Sequence, residues 1–235
     1  MVRMNTDLMS NGLNFYALVS GPVPSPFEGD DEYYPTDMVP LRVVDLGVLR
    51  VPSGRVEACD PFVELGDGPV FEVEPGDYPV KVTIADVSEE HDGSHEREAY
   101  LSLVLADGEA ATVEIAPQLE GSDWGVGVDA GTVAFVDHDA VATAMPPQGE
   151  RAEAYDSWSA LMDSPDHYQE DVANIVMPRA EAGENVVLSH SGWGDGVYPV
   201  ALTRDADGAP LGLHIDLGVV GEFGGEEDEE DDEDE

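Results

Sequence analysis

Apolar and polar residues alternate along most of the chain between about residue 41 and residue 220, which is the pattern of β-strands. The clearest case is LGLHIDLGVV at 211–220, where leucine, isoleucine and valine alternate with glycine, histidine and aspartate. The stretch VKVTIA at 80–85 alternates in the same way. Because successive side chains of a strand point to opposite faces, both stretches are predicted as strands, and the one at 80–85 as a half-buried strand.

Glycine, proline and aspartate divide these stretches and predict tight turns. Such turns stand at the centre of LGVLRVPSGRVEACD (46–60), FEVEPGDYPVKVTIA (71–85) and EAYLSLVLADGEAATVEIA (98–116). The sequence DADG at 205–208 separates two further strands. We therefore predict a β-hairpin at each of these four places.

Helical spacing is confined to one region, within residues 138–177. Tyr155, Trp158 and Met162 are three and four residues apart, so they would share one face of a helix. Ser164-Pro165 is typical of the start of a second, short helix. We predict an α+β, β-rich fold, with an antiparallel sandwich-like or barrel-like core and a short helical insert.

The ends of the chain differ from its body. Residues 1–40 are predicted as an N-terminal arm and proline-rich linker, with no regular element in 20–40. Residues 41–221 are predicted as a single β-rich domain. The last ten residues are all acidic, and 222–235 are predicted as a disordered acidic tail.

The chain carries 52 acidic and 9 basic residues, a formal net charge of −43. Direct binding to nucleic acid is not expected, because phosphate contacts need lysine and arginine. Three interpretations of the charge remain: a solvated surface suited to high salt, a site for divalent cations, and a mimic of nucleic acid that occupies the groove of a basic protein.

Two further features narrow the class of protein. Cys59 is the one cysteine, so no internal disulfide can form. No apolar stretch reaches the length of a membrane span. We predict a cytoplasmic protein with no membrane association.

Five stretches carry most of the motif content of the chain. They are LGVLRVPSGRVEACDP (46–61), VEPGDYPVKVTIA (73–85), GVGVDAGTVAFVD (125–137), NVVLSHSGWGDGVYPV (185–200) and DADGAPLGLHIDLGV (205–219). In order and spacing they resemble the bacterial family designated domain of unknown function 4241, over roughly residues 41–220. The resemblance implies no reaction. Some small bacterial families of this kind act as immunity proteins or accessory factors beside toxins.

The sequence SGWGDGVYP at 191–199 has glycine at three alternate positions, around a tryptophan and an aspartate. The glycines could allow close backbone packing, with the tryptophan in the core. They could instead leave room for a partner beside exposed aromatic rings. In a third alternative the aspartate is a base or a metal ligand. The residues predicted for binding are Trp193, Asp195, Tyr198, Gly192, Gly194 and Gly196.

Turn-associated aspartates suggest an alternative chemistry, a metal-dependent hydrolase that uses Asp129, Asp137 and Asp195. Candidate metal ligands are Asp129, Asp137, Asp139 and His138, since carboxylate and imidazole groups bind divalent cations. Many such aspartates only form turns. No cofactor is predicted, and a divalent cation remains an alternative.

The leading hypothesis is a non-enzymatic protein-binding module, immunity-like or accessory, with a partner that could be basic. It depends on the lack of a complete catalytic motif in the sequence and on the acidic charge, which would attract a basic protein.

Overall fold

The computed structural model describes residues 3–4, 15–25, 38–120 and 125–221. The strands up to residue 120 are β1 (Arg3–Met4), β2 (Gly21–Pro24), β3 (Met38–Val51), β4 (Arg55–Cys59), β5 (Val70–Glu72), β6 (Gly76–Asp86), β7 (Glu96–Val104), β8 (Glu109–Ala110) and β9 (Thr112–Ile115). The later strands are β10 (Val126–Val128), β11 (Thr132–Asp137), β12 (Asn174–Val176), β13 (Asn185–His190), β14 (Gly196–Tyr198), β15 (Val200–Arg204) and β16 (Pro210–Asp216). The helices are α1 (His138–Ala144), α2 (Ala152–Met162) and α3 (Glu170–Ala173), with a 3-10 turn at Gln148–Glu150.

Two antiparallel sheets form the body of the protein. A seven-stranded sheet has the order β2-β3-β6-β7-β16-β15-β9 and curls as a half-barrel. A five-stranded sheet has the order β12-β13-β11-β4-β5. β10 and β14 form a separate antiparallel pair, and β1 pairs with β8 in parallel. The predicted fold class, β-rich α+β with a barrel-like core and a helical insert, is confirmed.

The two sheets pack face to face around the main hydrophobic core. Leu101 and Ile215 of the seven-stranded sheet and Phe135 and Val187 of the five-stranded sheet are fully buried there. Alternate residues of β11 and β13 point the other way, into a second core beneath the helices. The five-stranded sheet is therefore covered on both faces, which explains why all six residues of β11 are buried.

The helical insert supplies this second cover. Trp158 and Met162 of α2 are buried against the sheet, as their spacing predicts. The predicted start of a second helix at Ser164-Pro165 is wrong. The chain makes turns there, and α3 begins at Glu170.

Three of the four predicted hairpins are wrong. β3 pairs with β2 and β6, whereas β4 pairs with β5 and β11, so the turn at 52–54 carries the chain from one sheet to the other. The segment at 73–75, between β5 and β6, carries it back. β7 and β9 are separated by β16 and β15. Only β15 and β16 form the expected hairpin, since turn residues reverse the chain without choosing its partner.

Two predictions for the edges of the fold also need correction. Gly21–Pro24 form a strand at the edge of the seven-stranded sheet, although 20–40 was predicted to hold no regular element. The strand at 80–85 is predicted as half-buried, yet Thr83 on its second face is buried, as are His214 and Asp216 on the same face of β16. The ring of Phe15 packs edge-on against His214, 5.4 Å between centroids, so the N-terminal segment covers this face. The predicted acidic tail at 222–235 lies outside the described residues.

Within the described ranges, none of the helices has both the length and the apolar character needed to cross a bilayer.

Candidate functional site

The loop between β13 and β14 lies against β7, and this contact explains its glycines. Gly192 has a φ of +68°, and a Cβ at this position would lie 2.5 Å from the backbone oxygen of Glu98. Gly194 has a φ of +97°, and its carbonyl oxygen accepts hydrogen bonds from Ser191 Oγ (2.7 Å) and Tyr198 Oη (2.8 Å). The loop is thus closed by its own hydrogen bonds and pressed onto the neighbouring sheet.

Trp193 is held at the surface by this loop. Its side chain is 39% exposed, and its indole Nε1 donates to the carbonyl oxygen of Gly218 at 3.3 Å. The guanidinium carbon of Arg97 lies 5.2 Å from the centre of the indole ring. Arg97 Nη1 also donates to the carbonyl oxygen of Gly192 at 3.3 Å. A cation over the ring and a hydrogen bond at its edge together fix the orientation of the indole.

A β-bulge in β7 turns Glu98 toward the interior. Thr83 pairs with Tyr100, but the next residue of β6, Ile84, pairs with Glu98, so Ala99 is an extra residue in β7. Paired residues share a face of the sheet, so Glu98 faces the five-stranded sheet together with Ile84. Strict alternation would have placed Glu98 on the opposite face.

Glu98 belongs to a buried cluster of polar side chains from three elements. It is 5% exposed, and its carboxylate accepts a hydrogen bond from the hydroxyl of Tyr168, which lies in the segment between α2 and α3. The rings of His167 and His190 meet edge-on, 4.9 Å between centroids. His190 is the last residue of β13, so both sheets and the helical insert contribute to the cluster.

Burial sets the charge state of these groups. Loss of solvation raises the pKa of Glu98 above its usual value, although His190 and Arg97 partly oppose this. Burial, with a smaller contribution from His190, lowers the pKa of His167 to about 4, so this ring is neutral at pH 7. Neither ring nitrogen of His167 has a hydrogen-bond partner among the described residues.

The cluster opens into a cleft of about 360 Å³ whose walls include Glu96, Glu98, His190 and Trp193. His190 Nε2 lies 3.2 Å from the carbonyl oxygen of Met162 and must donate to it, so in the neutral ring Nδ1 is the acceptor. The hydroxyl beside it, that of Ser191, donates within the loop to Gly194. The cleft therefore presents the indole of Trp193 for binding, since its serine holds the loop and the carboxylates of Glu96 and Glu98 accept hydrogen bonds from Arg42 and Tyr168.

The structure separates the aspartates that were predicted as catalytic. Val128 of β10 pairs with Gly196 of β14, so the adjoining Asp129 and Asp195 lie at the same end of this ladder, both exposed. Asp137 is at the far end of β11, and the extended strand from Thr132 to Asp137 spans about 17 Å. The three carboxylates do not converge on one point.

The candidate metal ligands near Asp137 have other partners. Asp137 Oδ1 accepts from the backbone nitrogen of Ala140, and its Oδ2 accepts from that of Ser53, at 3.0 and 2.9 Å. His138 Nδ1 lies 2.7 Å from Glu57 Oε2, and Asp139 Oδ1 accepts from Arg55 at 2.5 Å; these contacts hold α1 on the sheet. Among the described residues there is no group of three or more histidine, cysteine, aspartate or glutamate side chains that could hold a metal ion.

The loop around Asp129 is shaped by an aspartate that sequence reasoning missed. Asp60 is fully buried, and its Oδ2 accepts from the backbone nitrogens of Asp129 and Ala130 at 3.0 and 2.7 Å. Its Oδ1 accepts from Thr132 Oγ1 at 2.9 Å. Asp129 is thus placed by its backbone, while its own carboxylate points to solvent.

The structure places the residues predicted for binding in different surroundings. Trp193 lines the cleft, together with Gly192 and Gly194. Tyr198 does not, because it is buried and its hydroxyl bonds to Gly194 inside the loop. The residues missed are Arg97 and Glu98 in the walls of the cleft and His167 and Tyr168 in the cluster behind it. The glutamate in the apolar stretch EAYLSLVLA is the one signal that could have suggested them.

Comparison with known proteins gives one match. Residues 49–215 match the sequence model of the family DUF4241, which is described as a protein of unknown function. No curated protein and no solved structure gives a significant match.

Proposed function

Since the chain belongs to the DUF4241 family of proteins of unknown function, we propose a function from the cleft itself: a non-enzymatic module that binds a basic segment of a partner protein beside Trp193. The observation that carries the proposal is the indole of Trp193, 39% exposed and already oriented by Arg97 and Gly218. Interfaces draw much of their binding energy from a few such aromatic anchors, and prior orientation lowers the entropy lost on binding.

The surroundings of Trp193 favour a basic partner. Asp195 and Asp129 are exposed beside the loop, and Val197, 60% exposed, adds apolar area next to them. The formal charge of −43 would accelerate the approach of a cationic protein. An arginine of the partner can stack on an indole ring and pair with a carboxylate at the same time.

In this proposal the protein is an immunity-like or accessory factor that acts in the cytoplasm. Among the described residues, no observation favours the alternative of a metal-dependent hydrolase, since Asp137 is remote from Asp129 and Asp195 and both of its oxygens accept backbone hydrogen bonds. The nucleic-acid mimic, which needs carboxylates spaced like phosphates along one face, is likewise favoured by no observation there.

The test begins with the wild-type protein as bait in a lysate of the cells that produce it, at their own salt concentration. The partner is then purified, and its Kd is measured by calorimetry for wild type and variants. We expect Trp193→Ala to raise the Kd at least tenfold, about 1.4 kcal/mol, as for an interface anchor. Val63→Ala is the matched control, because Val63 is also exposed (46%) but lies outside the cleft.

Two outcomes would contradict the proposal. One is a partner that binds wild type and Trp193→Ala with the same Kd, while both proteins unfold at the same denaturant concentration. The other is an acidic partner, because the net charge of −43 would repel it.

A further inference from the structure

A second cavity lies between the two sheets, away from Trp193. Its volume is about 400 Å³, within the range of small-molecule sites. Its lining comes from β5 at the edge of the five-stranded sheet and from β15 and β16 of the seven-stranded sheet.

The floor of this cavity is apolar. Phe71 of β5, Leu202 of β15 and Leu213 of β16 line it, and each is at most 6% exposed. Leu119 stands at the rim, 50% exposed. Backbone hydrogen bonds between Val70 and the segment at 119–120, at 2.7 and 2.8 Å, fix the position of the rim.

The hydrogen-bond acceptors of the cavity come from Gln118 and two glutamates. Gln118 Oε1 is buried and has no hydrogen-bond partner among the described residues. The carboxylates of Glu72 and Glu74 belong to the same lining. Arg204, the one cation among the described residues of the lining, already donates to Glu114 Oε1 at 2.8 Å and to the carbonyl oxygen of Gly208 at 3.0 Å. A buried acceptor without a donor is unfavourable, and a ligand with an N–H group would satisfy it.

We propose that this cavity binds a small amphipathic amine, with its apolar body against Phe71, Leu202 and Leu213 and its protonated nitrogen at Gln118 and Glu74. The apolar floor would supply most of the affinity, since burial of a hydrocarbon chain is favourable in proportion to its area. The acceptors and the acidic charge of the chain select a cationic head group over an anionic one.

Calorimetry with three eight-carbon probes tests the selection of the head group. Octylamine, octanol and octanoate are titrated into the full chain at pH 7 in 0.5 M NaCl, which screens general attraction of cations. We expect octylamine to bind at least tenfold more tightly than octanol and octanoate. Propylamine, with the same charge and a shorter chain, should bind at least tenfold more weakly than octylamine.

Variants locate the binding. Leu119→Trp should narrow the mouth and weaken octylamine at least tenfold. Ile115→Trp is the matched control, because Ile115 is 55% exposed and outside the cavity lining, and it should leave the Kd unchanged. Gln118→Leu should weaken octylamine about fivefold, since it removes one hydrogen bond of about 1 kcal/mol.

Each opposite result would overturn the proposal. Equal octylamine affinity in Leu119→Trp and Ile115→Trp would place the amine on the general surface. Octanoate that binds as tightly as octylamine would remove the amine selectivity. No detectable binding of any probe to a folded wild-type protein would show that the cavity is not a ligand site.

Discussion

Glu98 illustrates what a single inserted residue does to the chemistry of a sheet. Without the bulge at Ala99, its carboxylate would share a face with Tyr100. With the bulge, it is buried between the sheets beside the hydroxyl of Tyr168. A buried carboxylate is costly when it is ionised, and this cost is the cause of its raised pKa.

We expect Glu98→Gln to change the pH dependence of stability. The folded pKa of Glu98 is above its ordinary value of 4.5, so the folded state holds the proton more tightly than the unfolded state. Stability from this group is present below pH 4.5 and is lost as pH rises through the folded pKa. The neutral variant avoids this loss and still has an amide oxygen for Tyr168.

Urea unfolding at several pH values from 4 to 8 measures this effect. The stability of Glu98→Gln relative to wild type should increase with pH across that range. A difference that is constant with pH, or that favours the wild type more at high pH, would contradict the assignment of burial as the dominant cause.

At the level of single residues, the sequence indicated Trp193 and the glycines beside it, because glycine at alternate positions around an aromatic residue is unusual in a strand. It could not indicate Arg97, His167 or Tyr168. Arg97 lines the cleft, and His167 and Tyr168 belong to the cluster behind it. They come from elements that are distant in sequence, so no local spacing indicates that they meet.

The first helix depends on one aspartate that also fixes a turn. Asp137 caps α1 through the backbone nitrogen of Ala140 and holds the backbone nitrogen of Ser53 in the turn between β3 and β4. This carboxylate therefore links the end of β11, the start of α1 and the crossing between the sheets.

We predict that Asp137→Ala lowers the free energy of unfolding by about 3 kcal/mol, because it removes a helix cap and leaves the backbone N–H of Ser53 without its acceptor. Denaturant unfolding measures the loss. Asp139→Ala is the matched control in the same turn of α1. Its carboxylate is half exposed and paired with Arg55, so its loss should cost less than about 1 kcal/mol. Equal effects of the two changes would show that Asp137 has no special structural role.

At the level of elements, alternation predicted most strands, and turn residues predicted most of their ends. The pairing of the strands could not be predicted in the same way. The turn at 52–54 and the segment at 73–75 connect strands of different sheets, although the residues at and next to them are typical of hairpins. Both connected strands bury apolar residues, and the core between the sheets can accept them on either side, so the local sequence does not decide.

The whole molecule has to fold against its own charge. With 52 acidic and 9 basic residues, carboxylates repel one another across a compact surface. The ion pairs of the described residues, such as Arg42–Glu96 and Arg204–Glu114, are partly exposed and each contributes little.

We therefore predict that the free energy of unfolding rises when NaCl is increased from 0.05 to 1 M. The rise should exceed the loss of about 1 kcal/mol that results when salt screens an exposed ion pair. Chemical denaturation at each salt concentration measures the change. Choline chloride at equal ionic strength should have the same effect, since screening depends on ionic strength. Stability that is unchanged or lower in salt would show that repulsion does not limit this fold.

The place of β16 in the seven-stranded sheet determines when that sheet can be completed during synthesis of the chain. β7 is made early, but its neighbour on one side, β16, is among the last described segments of the chain, with Asp216 opposite Tyr100. Throughout synthesis, the backbone of β7 on that side has no native partner and could pair with another nascent chain. The dense negative charge that opposes compaction also keeps such chains apart, so it protects the protein during the interval before its last strand is inserted.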